Sequence, residues 1–297
     1  MCSSALYPEK STPYYASLVR DGDPADPIGR QLILDPLEGE DVSGDTDPLG
    51  ESAYSPLPGL IHAYPDRALV MPTGECLVNC RHCNRRHSRL KLAQVTSQRL
   101  DLWCDYVRAH PLIREVIVTG GDPLTLSSRL LAQVLERLRG IDTIDLLRVG
   151  SRAPVVAPHL ITPELCSVLQ PRASGLQPSY FMTQFNCPEE CTPQAAAALE
   201  LLASAGIPTG NQMVLLKGVN DDPKRVLEVN RFLLRHRCRP VYLFVTEDVR
   251  GTRHLQVPLE RARAMARELR RSSGLASPRV VQDKPDAGGK TPVLESK

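Results

Sequence analysis

From about residue 66 onward the chain alternates between two kinds of apolar run. Short runs rich in Val, Leu, Ile and aromatic residues read as buried strands. They are Arg67–Pro72, Glu115–Thr119, Asp145–Val149, Ser179–Thr183, Gln212–Leu216 and Pro240–Val245. The segments between them space their apolar residues by threes and fours. The clearest, 127–139, puts Leu130, Leu131, Val134, Leu135 and Leu138 on one helical face. Further helices are predicted at about 97–110, from Thr162-Pro163, from Thr192-Pro193 to Gly206, at 222–236 and at 259–273. A threonine followed by proline starts a helix well, because the hydroxyl caps a free N–H and the ring presets φ. Strand–helix alternation predicts parallel strands with right-handed crossovers. Six such units are too few to close an eightfold barrel, so the expected fold class is α/β, a partial (β/α)6 barrel. Chemistry in β/α barrels sits at the C-terminal ends of the strands. Those ends carry a cysteine loop, Gly120-Gly-Asp122, Gly150-Ser-Arg152, Thr183-Gln-Phe-Asn186, Lys217-Gly-Val-Asn220 and Thr246-Glu-Asp248.

The flanks differ. Residues 1–65 are rich in Pro, Asp and Gly but keep recurrent Tyr, Leu and Ile. That aromatic content favours an ordered wrapping segment over a disordered tail. The expected organisation is therefore a wrapping segment at 1–65, the partial barrel at 66–250, and a C-terminal helix and tail at 251–297. The tail contains Gly288-Gly289-Lys290.

The chain has 297 residues, enough for a substantial core, and a net charge of +2. Its Lys and Arg are spread rather than blocked, which argues against nucleic acid as partner. No apolar run reaches the ~20 residues of a membrane span. The N-terminus lacks the basic and apolar regions of a signal peptide, so a cytoplasmic location is expected. Nine cysteines in a chain this long do not form a small disulfide framework. They suit a reducing compartment and a metal.

Cys76, Cys80 and Cys83 stand at a C-x3-C-x2-C spacing within eight residues. Three thiolates on one loop can hold three irons of a [4Fe–4S] cluster and leave the fourth open to a small molecule. Zinc is the competing reading, with His82 or His87 as the fourth ligand. Cys187 and Cys191 lie four apart and read as ordinary thiols before they read as a second metal or redox site.

The cysteine spacing resembles that of the radical S-adenosylmethionine (SAM) enzymes. Further stretches, together, resemble one branch of them, the lysine 2,3-aminomutase family. They are Tyr64-Pro-Asp-Arg67, Cys80-Arg-His-Cys-Asn-Arg-Arg86, Gly120-Gly-Asp-Pro-Leu124, Gly150 to Val156, Ile161 to Leu165, Gly210 to Asp221 and Gly288 to Val293. The resemblance runs from about residue 11 to 293. It implies an isomerase that moves an amino group from the α- to the β-carbon of an amino acid. The implied cofactors are a [4Fe–4S] cluster, SAM and pyridoxal 5′-phosphate (PLP), with an external electron donor of the flavodoxin or ferredoxin type.

Roles follow position by position from that resemblance. Cys76, Cys80 and Cys83 hold the cluster. Gly120, Gly121 and Asp122 form the strand end that meets the amino group of SAM. Lys290 carries PLP, and Tyr64, Arg67 and Gln212 line its phosphate or ring. Arg85 grips the substrate carboxylate. Glu247 and Asp283 bind the distal ammonium of a cationic substrate. Two carboxylates repel a third, so glutamate is disfavoured. Lysine is expected first, then arginine or ornithine, with a protein lysine, as in the elongation factor P pathway, as a further alternative. Three departures stand out: Glu247 replaces an aspartate with Asp248 beside it, Ala63 stands where many relatives have arginine, and the chain stops seven residues after Lys290. The C-terminal arm that some relatives use in oligomer contacts is therefore not expected, although a homo-oligomer remains possible. A non-catalytic metal-binding module is the reading from another class, and the presence of Cys76, Cys80, Cys83 and Lys290 argues against it.

Overall fold

Among the described residues nine strands make one sheet in chain order. They are β1 (Leu60–Tyr64), β2 (Arg67–Thr73), β3 (Glu115–Gly120), β4 (Leu146–Gly150), β5 (Ser179–Thr183), β6 (Thr209–Leu215), β7 (Cys238–Val245), β8 (Arg279–Lys284) and β9 (Gly289–Pro292). β2 to β8 run parallel in succession, while β1 and β9 add antiparallel at the two edges. The computed structural model describes residues 7–170, 178–272, 274–284 and 289–294. The expected partial barrel is present, with seven parallel strands where the sequence suggested six. β8 escaped notice because its apolar stretch is only Val280-Val281 in a polar tail.

The helices cover the outer face. Ser97–Ala109, Ser128–Arg139, Pro163–Leu169, Pro193–Ser204 and Pro223–Arg235 each begin after a Thr, Ser or Asp whose side chain accepts a free N–H of the first turn. β3 and β4 alternate. Val116, Val118, Leu147 and Val149 point outward and are fully buried against Trp103, Leu131, Leu135 and Leu138. Their neighbours Ile117, Arg148 and Gly150 line the barrel interior and remain partly open. A period of two thus separates a greasy outer layer from an interior lined with polar groups. Among the described residues no helix is long and apolar enough to cross a membrane.

The expected boundaries at 65 and 250 fall within this sheet, since β1 precedes the first and β8 and β9 follow the second. The segment before β1 contains short helices, including Pro13–Ser17, Gly29–Leu32 and Leu37–Glu40. It docks through buried polar side chains. Tyr15 is fully buried and donates to Glu190 at 2.7 Å. Glu38 is fully buried between two guanidiniums, taking Arg81 Nε at 2.7 Å and pairing with Arg86. Both arginines flank the cysteine loop, so the wrapping segment and that loop share one buried charge cluster.

Glu38→Gln leaves two buried guanidiniums without their carboxylate. Breaking a buried pair at one end costs about 3–5 kcal/mol. A drop of that size in the urea unfolding free energy is expected. A loss below about 1 kcal/mol would show that water reaches these arginines.

Candidate active site

The unfilled barrel interior forms a cavity of about 380 Å³. Every residue singled out from the sequence lines it: Cys76, Cys80 and Cys83, then Gly120, Gly121 and Asp122, and finally Tyr64, Arg67, Arg85, Gln212, Glu247, Asp283 and Lys290.

The cysteine loop leaves the end of β2 and is pressed against the end of β3. Gly121 N–H donates to the Thr73 carbonyl at 3.0 Å, and Asp122 N–H to that of Glu75 at 2.7 Å. The approach needs both glycines. Gly120 sits at φ +109°, and a Cβ on Gly121 would lie 2.1 Å from the Glu75 carbonyl oxygen. Asp122 is buried, and its carboxylate accepts Leu124 N–H at 2.9 Å, Ser151 Oγ at 2.8 Å and Arg152 N–H at 3.0 Å. Burial pushes its carboxyl up while these donors pull it back. Asp122 thus joins the ends of β3 and β4, and its carboxylate is taken up by these internal donors.

Arg152, for which no role follows from the sequence, organises this end of the cavity. Its Nη1 donates to Cys80 Sγ at 2.9 Å and its Nε to the Gln184 carbonyl at 3.2 Å. Its Nη2 meets Glu190 at 2.6 Å, Gln31 at 2.7 Å and Tyr15 at 2.9 Å. The three thiols line one cavity, and burial pushes that of Cys76 up. Among the described residues no three His, Cys, Asp or Glu side chains gather tightly enough around a point to hold a single ion. His82 is buried beside Gln184, at 2.8 Å, while His87 bonds the Arg250 carbonyl at the surface. Cys187 is buried in the core as a free thiol, and Cys191, also free, packs against it partly buried.

At the other end the β8–β9 ladder sets Lys290 directly opposite Asp283, with Nζ 3.7 Å from Oδ2. Nζ also lies 5.6 and 5.8 Å from the ring centres of Tyr242 and Phe244. Burial lowers the lysine pKa, Asp283 opposes that shift, and Arg67 and Arg148 reinforce it. Tyr64 donates to Asp283 at 3.0 Å, and its hydroxyl is pushed up to about 12 by burial and by that carboxylate. A Cβ on Gly289, at φ +104°, would strike the Tyr64 ring at 2.7 Å, so this glycine is required by packing between the sheet's two edges. Arg67 lies over the Tyr64 ring at 4.2 Å. Arg148, which the sequence did not single out, pairs with Glu115, yet its buried Nε has no hydrogen-bond partner. A neutral-prone lysine beside Arg67, Arg148 and Gln212 fits a phosphate-bearing carbonyl cofactor.

Near the Arg85 side, Glu247 follows β7. Burial first, then Asp283 and Glu51, push its carboxyl up to about 7, against Arg85. Asp248 turns away to Arg253, at 2.9 Å, which separates the two acids. Arg85 differs from expectation. Its Nε and Nη2 donate to the two oxygens of Glu51 at 2.8 and 2.5 Å. Glu51 comes from the wrapping segment, where nothing in the sequence pattern marked it.

Comparison with known proteins agrees with this geometry. The Radical SAM superfamily profile matches residues 70–229. The chain is 41% identical over 286 residues to the L-lysine 2,3-aminomutase of Clostridium subterminale, covering 95% of this chain and 68% of that protein. It is 38% identical over 288 residues to the glutamate 2,3-aminomutase of Clostridioides difficile, covering 95% and 67%. It therefore spans about two thirds of the length of these relatives. A radical SAM methyltransferase from Sphaerobacter thermophilus shares the fold, with a TM-score of 0.53 at 16% identity over 80% of this chain and 73% of that one. With a cysteine loop, a strand-end Gly-Gly-Asp and a half-buried lysine facing one cavity, and with these relatives along nearly its whole length, the chain belongs to the lysine 2,3-aminomutase family of radical SAM enzymes.

Proposed function

We propose that this aminomutase acts on a cationic L-amino acid, L-lysine first, moving its α-amino group to the β-carbon. The observation that carries the reading is that Glu247 and Asp283 share one cavity with Arg85 and Lys290. The carboxylate of an amino acid suits the arginine fork, and a distal ammonium suits the two acids. Overall identity does not select the substrate, since a lysine and a glutamate enzyme match almost equally. The two acids favour a cationic side chain, because a third carboxylate beside them is repelled.

Cys76, Cys80 and Cys83 would hold the [4Fe–4S] cluster, with Gly120 and Gly121 beside the SAM it binds. Lys290 would hold PLP, with Arg67, Arg148 and Gln212 toward its phosphate and Tyr64 nearby. Bound together, cluster and SAM supply a hydrogen-abstracting radical, and PLP supplies the carrier for the migrating nitrogen. The protein's part is positioning. Arg152, locked by Glu190, Gln31 and Tyr15, orients the Cys80 sulfur. Desolvation at Lys290 favours the neutral amine needed for attachment. Tyr64 holds Asp283 in place across the sheet's two edges. The free thiols of the described cysteines fit the reducing cytoplasm, where a flavodoxin or ferredoxin would donate the electron.

Anaerobically reconstituted protein with SAM, PLP, dithionite and L-lysine should release β-lysine. Faster β-arginine formation from L-arginine would move the substrate to a guanidinium, and neither product would overturn the reading. In Lys290→Ala, the borohydride-fixed PLP adduct should vanish while the iron and sulfide content is unchanged.

A pH dependence follows from Glu247. Its carboxyl titrates at about 7 in the free protein, so it is largely neutral below that pH and charged above it. A cationic substrate needs the charged form. The KM for L-lysine should therefore fall as pH rises from 6 to 8, and Glu247→Gln should flatten that trend. An unchanged trend in the variant would remove Glu247 from the substrate site.

A further inference from the structure

Arg85 does not face the cavity with an empty fork. Nε and Nη2 form parallel hydrogen bonds to both oxygens of Glu51, the geometry that a bound amino acid's carboxylate would take. The two side chains are only 19% and 17% exposed. Glu51 opens a short turn, Glu51–Tyr54, at the end of the wrapping segment. Asp47 fixes that turn by accepting the backbone N–H groups of Glu51 and Ser52, each at 2.9 Å. The strap is laced in turn to the loop after β7. Asp45 N–H donates to Asp248 at 2.8 Å, Arg250 N–H donates to Asp45 at 2.9 Å, and Gly44 lies against the Arg250 main chain with no room for a Cβ. Glu51, Glu247 and Asp283 all line the same cavity.

We propose that Glu51 is a resident stand-in for the substrate carboxylate. It keeps Arg85 paired while the site is empty and yields the fork when an amino acid binds. The proposal rests on the reading of Arg85 as the carboxylate clamp. An unpaired guanidinium in this part-buried place is costly, so a resident partner preorganises the fork. Displacement has a second effect. A ligand that frees Glu51 brings its own carboxylate into a cavity already holding Glu247 and Asp283. A positive side chain offsets that added charge, and a neutral one does not. Glu51 thereby acts as a specificity-determining residue, penalising amino acids without a distal cation.

Calorimetric titration of the PLP-loaded, cluster-loaded protein with L-lysine and its neutral isostere L-norleucine tests this. Glu51→Gln and Glu51→Ala, two different shapes, should both tighten L-lysine by about tenfold, the scale of a charge-assisted hydrogen bond. L-Norleucine should gain more, narrowing the preference for lysine. In an Arg85→Gln background the Glu51 substitutions should have no effect. If Arg85→Gln weakens L-lysine but neither Glu51 variant tightens it, the stand-in role is overturned and the clamp stands. If Arg85→Gln leaves L-lysine binding unchanged, the clamp fails and takes this proposal with it.

Discussion

One guanidinium ties together the parts of the site that chemistry must keep in register. Arg152 reaches the Cys80 sulfur, the end of β5 through the Gln184 carbonyl, and the wrapping segment through Tyr15 and Gln31. Its own N–H reaches the Asp122 carboxylate. The group is buried, and such a charge is tolerated only with a full set of partners. Glu190 supplies the charge, and the remaining acceptors come from different elements. Because each acceptor lies on a separate piece of chain, satisfying Arg152 amounts to assembling one wall of the cavity.

The charges elsewhere are sorted by position. Beside the cysteine loop, Arg81 and Arg86 face one buried acid, Glu38, and with Arg89 they surround the Tyr7 ring. This leaves a positive surplus where three thiolates would bring negative charge. Around Lys290, Arg67 and Arg148 lower its proton affinity and present donors for an anion. Around Arg85 the acids accumulate: Glu51, Glu247 and Asp283. The charge of each region thus suits the group proposed for it.

The outward half of the fold was legible in the sequence. Strand runs and capped helices announce themselves when one face is apolar, and the predicted elements fall close to those observed. The strand ends were legible too, because polar residues clustered after apolar runs, and all but the one at 217–220 bring residues to one cavity. What escaped has a common cause. β8 and β9 are held by pairing with the sheet, and their composition is polar, so periodicity is silent. Glu51, Arg148 and Arg152 matter through partners distant in the chain, such as Glu190 and Arg85. Single-sequence patterns carry no information about such pairings. Asp122 also joins two strand ends through its hydrogen bonds to Ser151 and Arg152, which no local pattern announces.

The meeting of Tyr64 with Asp283 and Gly289 has a consequence for how the protein comes into being. These partners lie 219 residues apart for Tyr64 and Asp283, on the first and eighth strands. During synthesis the cysteine loop leaves the ribosome long before Lys290 does. Non-local pairings of this kind form late, after the intervening loops have closed. Until β9 arrives, β8 is an unprotected strand edge, the kind of surface on which chains associate wrongly. With Lys290 on β9 as the attachment point proposed for the carbonyl cofactor, its attachment would double as a completion mark, reporting that the last strand has reached its place.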